Sequence, residues 1–349
     1  MTPRPHRRSR HAALLAVGTA VALVSGGCGV FDDDNDNDNG RTDPEHGVTG
    51  GGAPVRTVDS YVALGDSFAA FGPVSAPTSG PPACLRSTAN YPALVAEALG
   101  GPESAGGPQA GGGPVSGGGP QAGDGDPGSR SAGDMVFVDA TCGGAQTTDL
   151  TRGQLAGIPP QFDALTADTD LVTLSIGGND IGFGAIAECV MTTRAEGTAE
   201  DSASTGAVDP GPCRDRLAQT VTDALEALPE QLDRVYAGIR ERSPDARVVT
   251  TGYLPLVPAD GGCAFVASMN PGDVTWTRDV TRQINEVVAE AAARAGADLA
   301  MPGQAQQHSG CAAPADRYTD FTGSETGSHP MHPTALGQAA MAEAVAAAV

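Results

Sequence analysis

Five short runs of apolar residues alternate with longer amphipathic segments along this chain. The runs cover residues 58–64, 135–139, 170–176, 247–251 and 298–301. Each run is almost continuously apolar, which is typical of a strand that is buried on both faces. Strands of that kind occur in parallel sheets whose two faces are covered by helices. The pattern therefore predicts five parallel strands.

Helical patterns separate these runs. The clearest cover residues 91–99, 213–242 and 276–295, and an alanine-rich one covers residues 334–349. Strands that alternate with helices predict an α/β fold of three α/β/α layers, with a flavodoxin-like parallel sheet of about five strands. In a sheet of order 2-1-3-4-5, the loops after the first three strands meet at the topological switch point. Open α/β sheets bind their ligands there.

Two stretches interrupt the pattern. Residues 100–133 are rich in Gly, Pro, Ser and Ala, and the sequence GGPQAG occurs there twice, at residues 106–111 and 118–123. So little apolar bulk predicts a solvated insertion, which costs the fold little because loop-closure entropy grows slowly with length. Residues 192–211 are polar and lie between two cysteines, which predicts a surface loop pinned by a disulfide.

The N-terminus has the pattern of an export signal. Arginines at positions 4, 7, 8 and 10 precede thirteen weakly polar or apolar residues, 12–24, which are too few to span about 30 Å of hydrocarbon. Small residues before Cys28 resemble the lipobox of bacterial lipoproteins, although Ser25 stands where Leu is usual. We expect residues 1–27 to be a signal peptide and Cys28 to carry a lipid. An ordinary cleaved signal is the alternative.

Residues 28–56 predict an acidic, glycine-rich tether. Residues 32–38 are all aspartate or asparagine, and a glycine run follows. Such a composition cannot bury enough apolar area to offset the entropy of ordering. We expect this segment to hold a folded domain, residues 57–349, away from the surface to which Cys28 is attached.

Charge and length narrow the class of protein. The 349 residues carry 42 acidic and 20 basic side chains, a net charge of −22, and every basic residue is arginine. That balance excludes a nucleic-acid-binding surface as the main function, because neutralising phosphates requires a basic face. Without the ends and the low-complexity stretches, roughly 230 to 260 residues remain, which suits one domain.

The cysteine count agrees with export. The chain has seven cysteines, and lipid attachment at Cys28 accounts for the odd one. The remaining six suit three disulfides in an oxidising compartment. The sequence holds no CxxC motif and no histidine-rich cluster, so we expect no metal site.

Polar, glycine-bearing loops follow the first three predicted strands. They contain Ser67, the pair Gly143-Gly144, and Asn179, while His332 precedes the last predicted helix. A serine hydroxyl is a weak nucleophile until a base such as histidine takes its proton. Acyl transfer also needs hydrogen-bond donors for the oxyanion, which backbone N–H groups and a side-chain amide supply.

These motifs resemble the blocks of the SGNH (GDSL) hydrolase family. YVALGDSF, CGGAQTTD, SIGGNDIGF and HPTALGQ follow one another in the family's order, and the resemblance covers residues 58–349. It is strongest to secreted actinobacterial esterases and lipases with three sequential disulfides. The resemblance implies an SGNH hydrolase fold and a serine esterase or lipase that cleaves carboxylic esters through an acyl-enzyme, without a cofactor.

The resemblance also implies residue roles. Ser67 is the expected nucleophile, and its backbone N–H, the N–H of Gly144 and the side-chain amide of Asn179 are the expected oxyanion donors. His332 is the expected general base. The family's second block is usually Cys-Ser-Gly-Ala, so Gly143 replaces a serine here. The implied disulfides are Cys84–Cys142, Cys189–Cys213 and Cys263–Cys311.

His329 competes with His332 as the base, because both precede a proline. We choose His332 because the last helical pattern starts at Thr334 and Gly337 falls where the family has its glycine. The family often has an aspartate three residues before the base, where this chain has His329. We therefore expect a Ser67–His332 dyad in which the main-chain carbonyl of His329 accepts the ring N–H. Carboxylate alternatives are Glu325, Asp316 and Asp320.

Two other functions remain open at this point. A carbohydrate deacetylase of the same fold would use the same residues, because acyl length depends on pocket walls that the motifs do not reveal. A non-catalytic cell-surface binding lipoprotein would not need Ser67, Asn179 and His332 together. We expect a small ester or lipid as substrate, no nucleic-acid partner, membrane attachment only through Cys28, and a monomer. We expect it outside the cell or anchored to the outer face of the cell membrane.

Overall fold

The computed structural model describes residues 57–100, 135–196 and 211–349. The expected signal peptide, Cys28 and the tether lie outside the described residues. So do residues 101–134, which contain nearly all of the expected insertion, and residues 197–210 of the expected surface loop.

The described residues contain strands and helices in alternation. The strands are β1 (Ser60–Gly65), β2 (Thr78–Ser79), β3 (Arg86–Ser87), β4 (Val136–Asp139), β5 (Leu171–Ser175), β6 (Arg247–Thr251), β7 (Asp298–Ala300), β8 (Thr319–Asp320) and β9 (His332–Pro333). The α-helices are α1 (Ser67–Ala70), α2 (Tyr91–Ala98), α3 (Phe183–Glu196), α4 (Pro212–Arg242), α5 (Ala264–Ala267), α6 (Pro271–Ala295) and α7 (Ala335–Ala348). Short 3-10 turns cover Pro82–Cys84, Thr147–Leu150, Gln161–Ala164 and Ala305–His308.

Five strands form the predicted parallel sheet, in the order β4-β1-β5-β6-β7. Renumbered along the chain this is the order 2-1-3-4-5, so β1 lies between the second and third sheet strands, as expected. Strand β5 is buried along its whole length. The strand β4, at one edge of the sheet, instead exposes Val136 and Val138.

Helices flank the sheet and give the predicted three-layer arrangement. Helix α2 packs on α7, and α4 packs on α6. Right-handed crossovers place the first pair on one face of the sheet and the second pair on the other. Polar contacts link helices to the sheet, as where the hydroxyl groups of Tyr236 on α4 and Thr250 on β6 lie 2.7 Å apart. The architecture confirms the predicted fold class.

Helix α7 also ties the C-terminus to the start of the chain's first helix. The side chain of Gln338 is fully buried, and its amide donates to the carbonyl of Phe68 at 3.1 Å. Its carbonyl oxygen accepts the N–H of Tyr91 at 2.6 Å. One side chain of α7 therefore fixes α1 and α2 together, and α1 begins at Ser67.

Two helices differ from the prediction, α6 in where it begins and α3 in being present at all. Helix α6 begins at Pro271, five positions before the predicted start at 276, because Asn270 caps it and proline suits the first helical turn. Helix α3 was not predicted, and it takes the first residues of the expected 192–211 loop. Gly182 and Gly184 lower helix propensity near its start, which hides the pattern.

The six cysteines of the described residues form the pairs Cys84–Cys142, Cys189–Cys213 and Cys263–Cys311. These are the pairs that the family resemblance implies. Within the described ranges, no helix combines the length and the apolar character needed to cross a membrane.

Candidate active site

A sharp turn after β1 presents Ser67. Asp66 caps α1, because one of its carboxylate oxygens accepts the N–H of Phe68 at 2.9 Å. The backbone of Gly65 has φ +149°, and a Cβ there would lie 2.5 Å from the carbonyl oxygen of Ser175. Only glycine allows β1 to turn this close to β5. The turn leaves Ser67 at the carboxyl edge of the sheet, as the first residue of α1.

The structure places His332 against Ser67. Its Nε2 lies 2.7 Å from Oγ of Ser67, although 265 positions separate the two residues. Its Nδ1 lies 2.7 Å from the carbonyl oxygen of Pro330. Because a carbonyl oxygen only accepts hydrogen bonds, Nδ1 carries the ring proton. Nε2 is then the acceptor of the Ser67 hydroxyl proton, which is the arrangement that general-base activation requires.

The expected orienting group is corrected by one residue. The ring of His332 donates to the carbonyl of Pro330, whereas the carbonyl of His329 accepts the backbone N–H of His332 at 3.2 Å. In this turn the carbonyl three positions back is taken by the backbone N–H of His332, and the carbonyl two positions back accepts the ring N–H. A main-chain carbonyl is still the partner of Nδ1.

Two of the three carboxylate alternatives have another partner. Glu325 and Asp320 both pair with Arg317, at 3.0 Å and 3.6 Å. At Asp316 the main-chain carbonyl, not the carboxylate, contacts a histidine, and that histidine is His308. Asp320 still supports the base indirectly, because β8 pairs with β9 in a register that sets Asp320 opposite His332.

Burial keeps the imidazole of His332 neutral by lowering its pKa. Burial lowers the pKa of His332 to about 4; the Pro330 carbonyl opposes that shift and the charge of His329 adds to it. The imidazole is therefore neutral at neutral pH, with a free lone pair on Nε2. Three phenylalanine rings surround it, with centroid distances of 4.7 Å for Phe71, 5.6 Å for Phe68 and 6.0 Å for Phe183.

The two other expected donors lie on loops that are joined to each other. Gly144 has φ +78°, a conformation that favours glycine. The side-chain amide of Asn179 donates to the carbonyl of Ala145 at 2.9 Å, and the amide of Gln146 donates back to the carbonyl of Asn179 at 3.1 Å. One N–H of Asn179 holds the two loops together, so its second N–H is the one available to a ligand.

A disulfide joins the nucleophile's side of the site to the Gly144 loop. Cys84 and Cys142 are bonded, and the N–H of Gly143 donates to the carbonyl of Cys84 at 2.9 Å. The bridge spans 58 positions of sequence, which include the stretch 101–134. It fixes the loop after α1 against the loop after β4 in spite of that intervening stretch.

Tyr253 is a site residue that sequence reasoning missed. Its hydroxyl donates to the carboxyl group of Asp66 at 2.6 Å and accepts the N–H of Gly178 at 2.6 Å. It therefore bridges the Ser67 turn and the Asn179 loop. The one available signal was its place two positions after β6, at the carboxyl edge of the sheet.

The carboxyl group of Asp66 is wholly buried in this bridge. Burial raises the pKa of Asp66 to about 7; hydrogen bonds from Tyr253 and from the N–H of Phe68 oppose the shift, and the charge of Asp180 adds to it. Burial and the neighbouring Asp66 raise the pKa of Tyr253 well above its usual range. The phenol therefore stays protonated and remains a donor.

An apolar cavity opens beside the Ser67–His332 pair. It encloses about 750 Å³ including its open mouth, between α3 and α6. Phe68, Gly178 and Met331 line it, and these are the sequence neighbours of Ser67, Asn179 and His332. The rest of its wall is mainly aliphatic or aromatic, including Phe183 and Ile284, and also contains the hydroxyl-bearing Thr277 and Thr281 of α6. Among the described residues, no group of three or more His, Cys, Asp or Glu side chains is arranged to hold a metal ion.

Comparison with known proteins identifies the family of this chain. A model of the GDSL-like lipase/acylhydrolase family matches residues 115–340. Lipase 2 of Streptomyces coelicolor is 34% identical over 307 residues, an alignment that covers 85% of this chain and 88% of that protein. The chain belongs to the GDSL-like lipase/acylhydrolase family. The family match includes Gly144, Asn179 and His332, and an alignment over 85% of 349 residues also includes position 67.

Solved structures of family members share the fold. An extracellular lipase from Streptomyces rimosus superposes with a TM-score of 0.58 at 26% identity, covering 83% of this chain and 99% of that one. A phospholipase A1 from Streptomyces albidoflavus superposes with a TM-score of 0.56 at 26% identity, covering 83% and 98%. The chain is accordingly a carboxylic ester hydrolase, and the non-catalytic binding protein is not retained.

Proposed function

We propose that this family member hydrolyses esters with apolar acyl chains through an acyl-enzyme on Ser67. The contact of 2.7 Å between Nε2 of His332 and Oγ of Ser67 carries the proposal. The tautomer of His332 supports it further, because the Pro330 carbonyl holds the ring proton on Nδ1 and leaves Nε2 free to accept the proton of Ser67.

The proposed reaction has two halves. As Oγ of Ser67 attacks the ester carbonyl, Nε2 of His332 takes the hydroxyl proton, and the carbonyl oxygen becomes an oxyanion. His332 then gives the proton to the leaving alkoxide, which departs as an alcohol and leaves an acyl-Ser67. In the second half, His332 takes a proton from water, the hydroxide attacks the acyl group, and the proton returns to Ser67 as the acid leaves.

Three donors serve the oxyanion in this proposal: the N–H groups of Ser67 and Gly144 and the amide of Asn179. Each donor of this kind contributes about 2.7–4 kcal/mol to transition-state stabilisation. The disulfide Cys84–Cys142 and the hydrogen bonds between the Ala145 and Asn179 loops support the role, because they fix the loops before substrate binds.

The apolar cavity is the proposed site of the acyl chain. Phe68 and Met331 line it, so it is apolar space next to Ser67 and His332 in which an acyl chain bonded to Ser67 can lie. An apolar cavity favours longer acyl chains over acetyl groups, since each buried CH₂ contributes about 0.8 kcal/mol. The carbohydrate deacetylase is the less favoured alternative for that reason.

Export and anchoring complete the proposal. The three disulfides support an oxidising compartment, and the S. rimosus relative is described as extracellular. We therefore propose residues 1–27 as a signal peptide, Cys28 as the lipid attachment site, residues 28–56 as a tether and residues 57–349 as a monomeric hydrolase domain. The enzyme then acts on the outer face of the cell membrane.

Labelling tests the nucleophile. A serine-directed phosphonate should add to Ser67, located by peptide mass spectrometry, and Ser67→Ala should lose both labelling and ester hydrolysis. Ser79→Ala, at an exposed serine on β2, is the matched control and should keep both. Label on a different serine, or turnover in Ser67→Ala, contradicts the assignment.

A substrate series tests the acyl specificity. The kcat/KM for nitrophenyl esters should rise from the acetyl to the octanoyl ester, and an acetylated xylose should be a poor substrate. Ile284→Trp narrows the cavity and should lower the octanoyl rate while leaving the acetyl rate close to wild type. A preference for the acetylated sugar identifies a deacetylase instead.

Fractionation tests the anchor. Cys28→Ser should release an active enzyme into the medium, while the wild type stays with the membrane fraction. If the wild type is already soluble and its mature chain starts at a residue other than Cys28, an ordinary cleaved signal is the correct account.

A further inference from the structure

The base of this site is held by few directional contacts. The ring of His332 has two hydrogen-bond partners, the Pro330 carbonyl at Nδ1 and Oγ of Ser67 at Nε2, and these leave the ring able to rotate about the line that joins its two nitrogens. The preceding residue, Met331, has φ +63°, an uncommon conformation for a side chain other than glycine. Strain of this kind persists only where surrounding packing enforces it.

Phe71 supplies packing on the imidazole. Its ring centroid lies 4.7 Å from that of His332 and 4.4 Å from that of His329. It is the nearest of the three phenylalanines to His332. Phe68 is buried in the core and lines the cavity, and Phe183 meets His332 edge-on at 6.0 Å.

Phe71 is also fixed to the nucleophile. It is the C-terminal cap of the four-residue helix α1, and its N–H donates to the carbonyl of Ser67 at 2.9 Å. The same residue therefore has its backbone bonded to the proposed nucleophile and its side chain on the proposed base. Phe71 therefore links the two residues of the 2.7 Å contact.

Gly143 leaves the room that this ring needs. A Cβ built on Gly143 would lie 2.6 Å from Cε1 and 2.9 Å from Cζ of Phe71. The backbone of Gly143 does not have a positive φ, so its lack of a side chain is a matter of space rather than of backbone conformation. Any side chain at position 143 would displace the outer end of the Phe71 ring.

We infer that Phe71 is a positioning residue that holds the imidazole of His332 over Ser67, and that Gly143 is required to keep the Phe71 ring in place. This inference rests on the proposed function, because it takes Ser67 and His332 as the reacting pair. The ring acts here alongside a main-chain carbonyl, the partner of Nδ1.

A double-mutant cycle at positions 71 and 143 tests the inference. Phe71→Ala should lower kcat about tenfold and leave KM unchanged, because Phe71 does not line the acyl cavity. Gly143→Ala should lower kcat by a similar factor, since it pushes the ring away. The double variant should lose no more than either single variant, because both changes remove the same contact.

The pH profile separates positioning from general damage to the fold. Removal of Phe71 lets water reach the imidazole, so the pKa of His332 should rise from about 4 towards its usual 6.5. The acid limb of the profile, where kcat/KM falls as the pH is lowered, should move to higher pH with it. Phe137→Ala is the matched control, because Phe137 stacks on Tyr61 at 4.8 Å and makes no ring contact with a histidine. That variant should keep the wild-type limb.

Two results overturn the role of Phe71. One is a wild-type kcat and acid limb in Phe71→Ala. The other is a full loss from Gly143→Ala in the Phe71→Ala background, which would place the damage at the neighbouring Gly144 rather than at the ring. Phosphonate labelling of Ser67 in every variant reports on the proposed function separately. A wild-type enzyme that is not labelled at Ser67 contradicts the proposed function itself.

Discussion

The phenol of Tyr253 donates a hydrogen bond of 2.6 Å to the buried carboxyl group of Asp66. The same oxygen accepts the N–H of Gly178 at 2.6 Å, so it joins the turn that presents Ser67 to the loop that carries Asn179. Two loops that have to keep a fixed separation during catalysis are thereby connected through one atom.

Tyr253→Phe should impair catalysis more than folding. The change leaves the N–H of Gly178 and a carboxyl oxygen of Asp66 without their partner, a cost of about 1–3 kcal/mol for each buried group. We expect kcat for ester hydrolysis to fall about tenfold to a hundredfold, because the Asn179 donor shifts relative to Ser67. Stopped-flow acylation rates and thermal unfolding measure the two effects.

Tyr236→Phe is the control for that experiment. It removes a buried hydroxyl that lies 2.7 Å from that of Thr250, between α4 and β6 and away from the site. It should lower the free energy of unfolding, by less than Tyr253→Phe because it leaves one buried group without its partner instead of two, and it should leave kcat unchanged. Equal kcat losses in the two variants would show that Tyr253 has no specific role in the site.

Asp66→Asn should change how stability depends on pH. Burial raises the pKa of Asp66 from 3.8 to about 7 in the folded chain, so between these values the folded state binds one proton more than the unfolded state. The contribution of Asp66 is then fully present below pH 3.8 and is lost as the pH rises through about 7, with a slope of about 1.4 kcal/mol per pH unit.

Urea unfolding at pH 4.5 and pH 7 measures this effect. At pH 4.5 the wild type should have a higher free energy of unfolding than Asp66→Asn. At pH 7 this difference should be smaller or of opposite sign. Asp298→Asn is the control, because Asp298 is half exposed in its pair with Arg247. Parallel pH curves for the wild type and Asp66→Asn would refute a raised pKa.

The sheet and its site edge follow from sequence because the determining signals are local and strong. The runs that became β1 and β5 are apolar throughout, and a parallel sheet covered on both faces is the arrangement that buries them. Ser67, Gly144 and Asn179 follow consecutive sheet strands, so strand order alone brings their loops to one edge. Neither inference needs any side-chain geometry.

The features that sequence could not supply depend on three-dimensional packing. Tyr253 contacts Asp66 although 187 positions separate them, and the sequence around neither residue indicates the contact. The partner of Nδ1 turned out to be Pro330 because the turn before β9 is tight, and turn geometry at that scale is not encoded in residue type. The contact of Phe71 with the imidazole likewise requires two loops to be folded first.

The pair of histidines predicts a specific response to mutation. His332→Ala should abolish turnover. His329→Ala should keep most of it, because the Pro330 carbonyl remains in place for Nδ1. His329→Asp puts a carboxylate near the base, which favours the imidazolium, so the acid limb of kcat/KM should move upward from about pH 4.

Rates measured from pH 3.5 to 8 check these three variants. Loss of activity in His329→Ala together with activity in His332→Ala would reverse the assignment of the base. An acid limb that stays fixed in His329→Asp would show that position 329 does not act electrostatically on His332.

Removal of the disulfide Cys84–Cys142 should cost both stability and activity. The bond closes a loop of 58 positions, which in the chain-entropy model contributes about 4 kcal/mol. The double variant Cys84→Ser, Cys142→Ser should therefore unfold at a lower urea concentration. It should also lose kcat while still folded, because the Gly144 loop is no longer tied to the segment that follows α1.

The matched control is Cys263→Ser, Cys311→Ser, which opens a loop of similar length, 48 positions, and leaves the Gly143 contact with Cys84 intact. It should show a comparable loss of stability with a smaller loss of kcat. Equal losses of kcat in the two double variants, measured where both are fully folded, would show that the first disulfide has no particular function in holding the oxyanion donors.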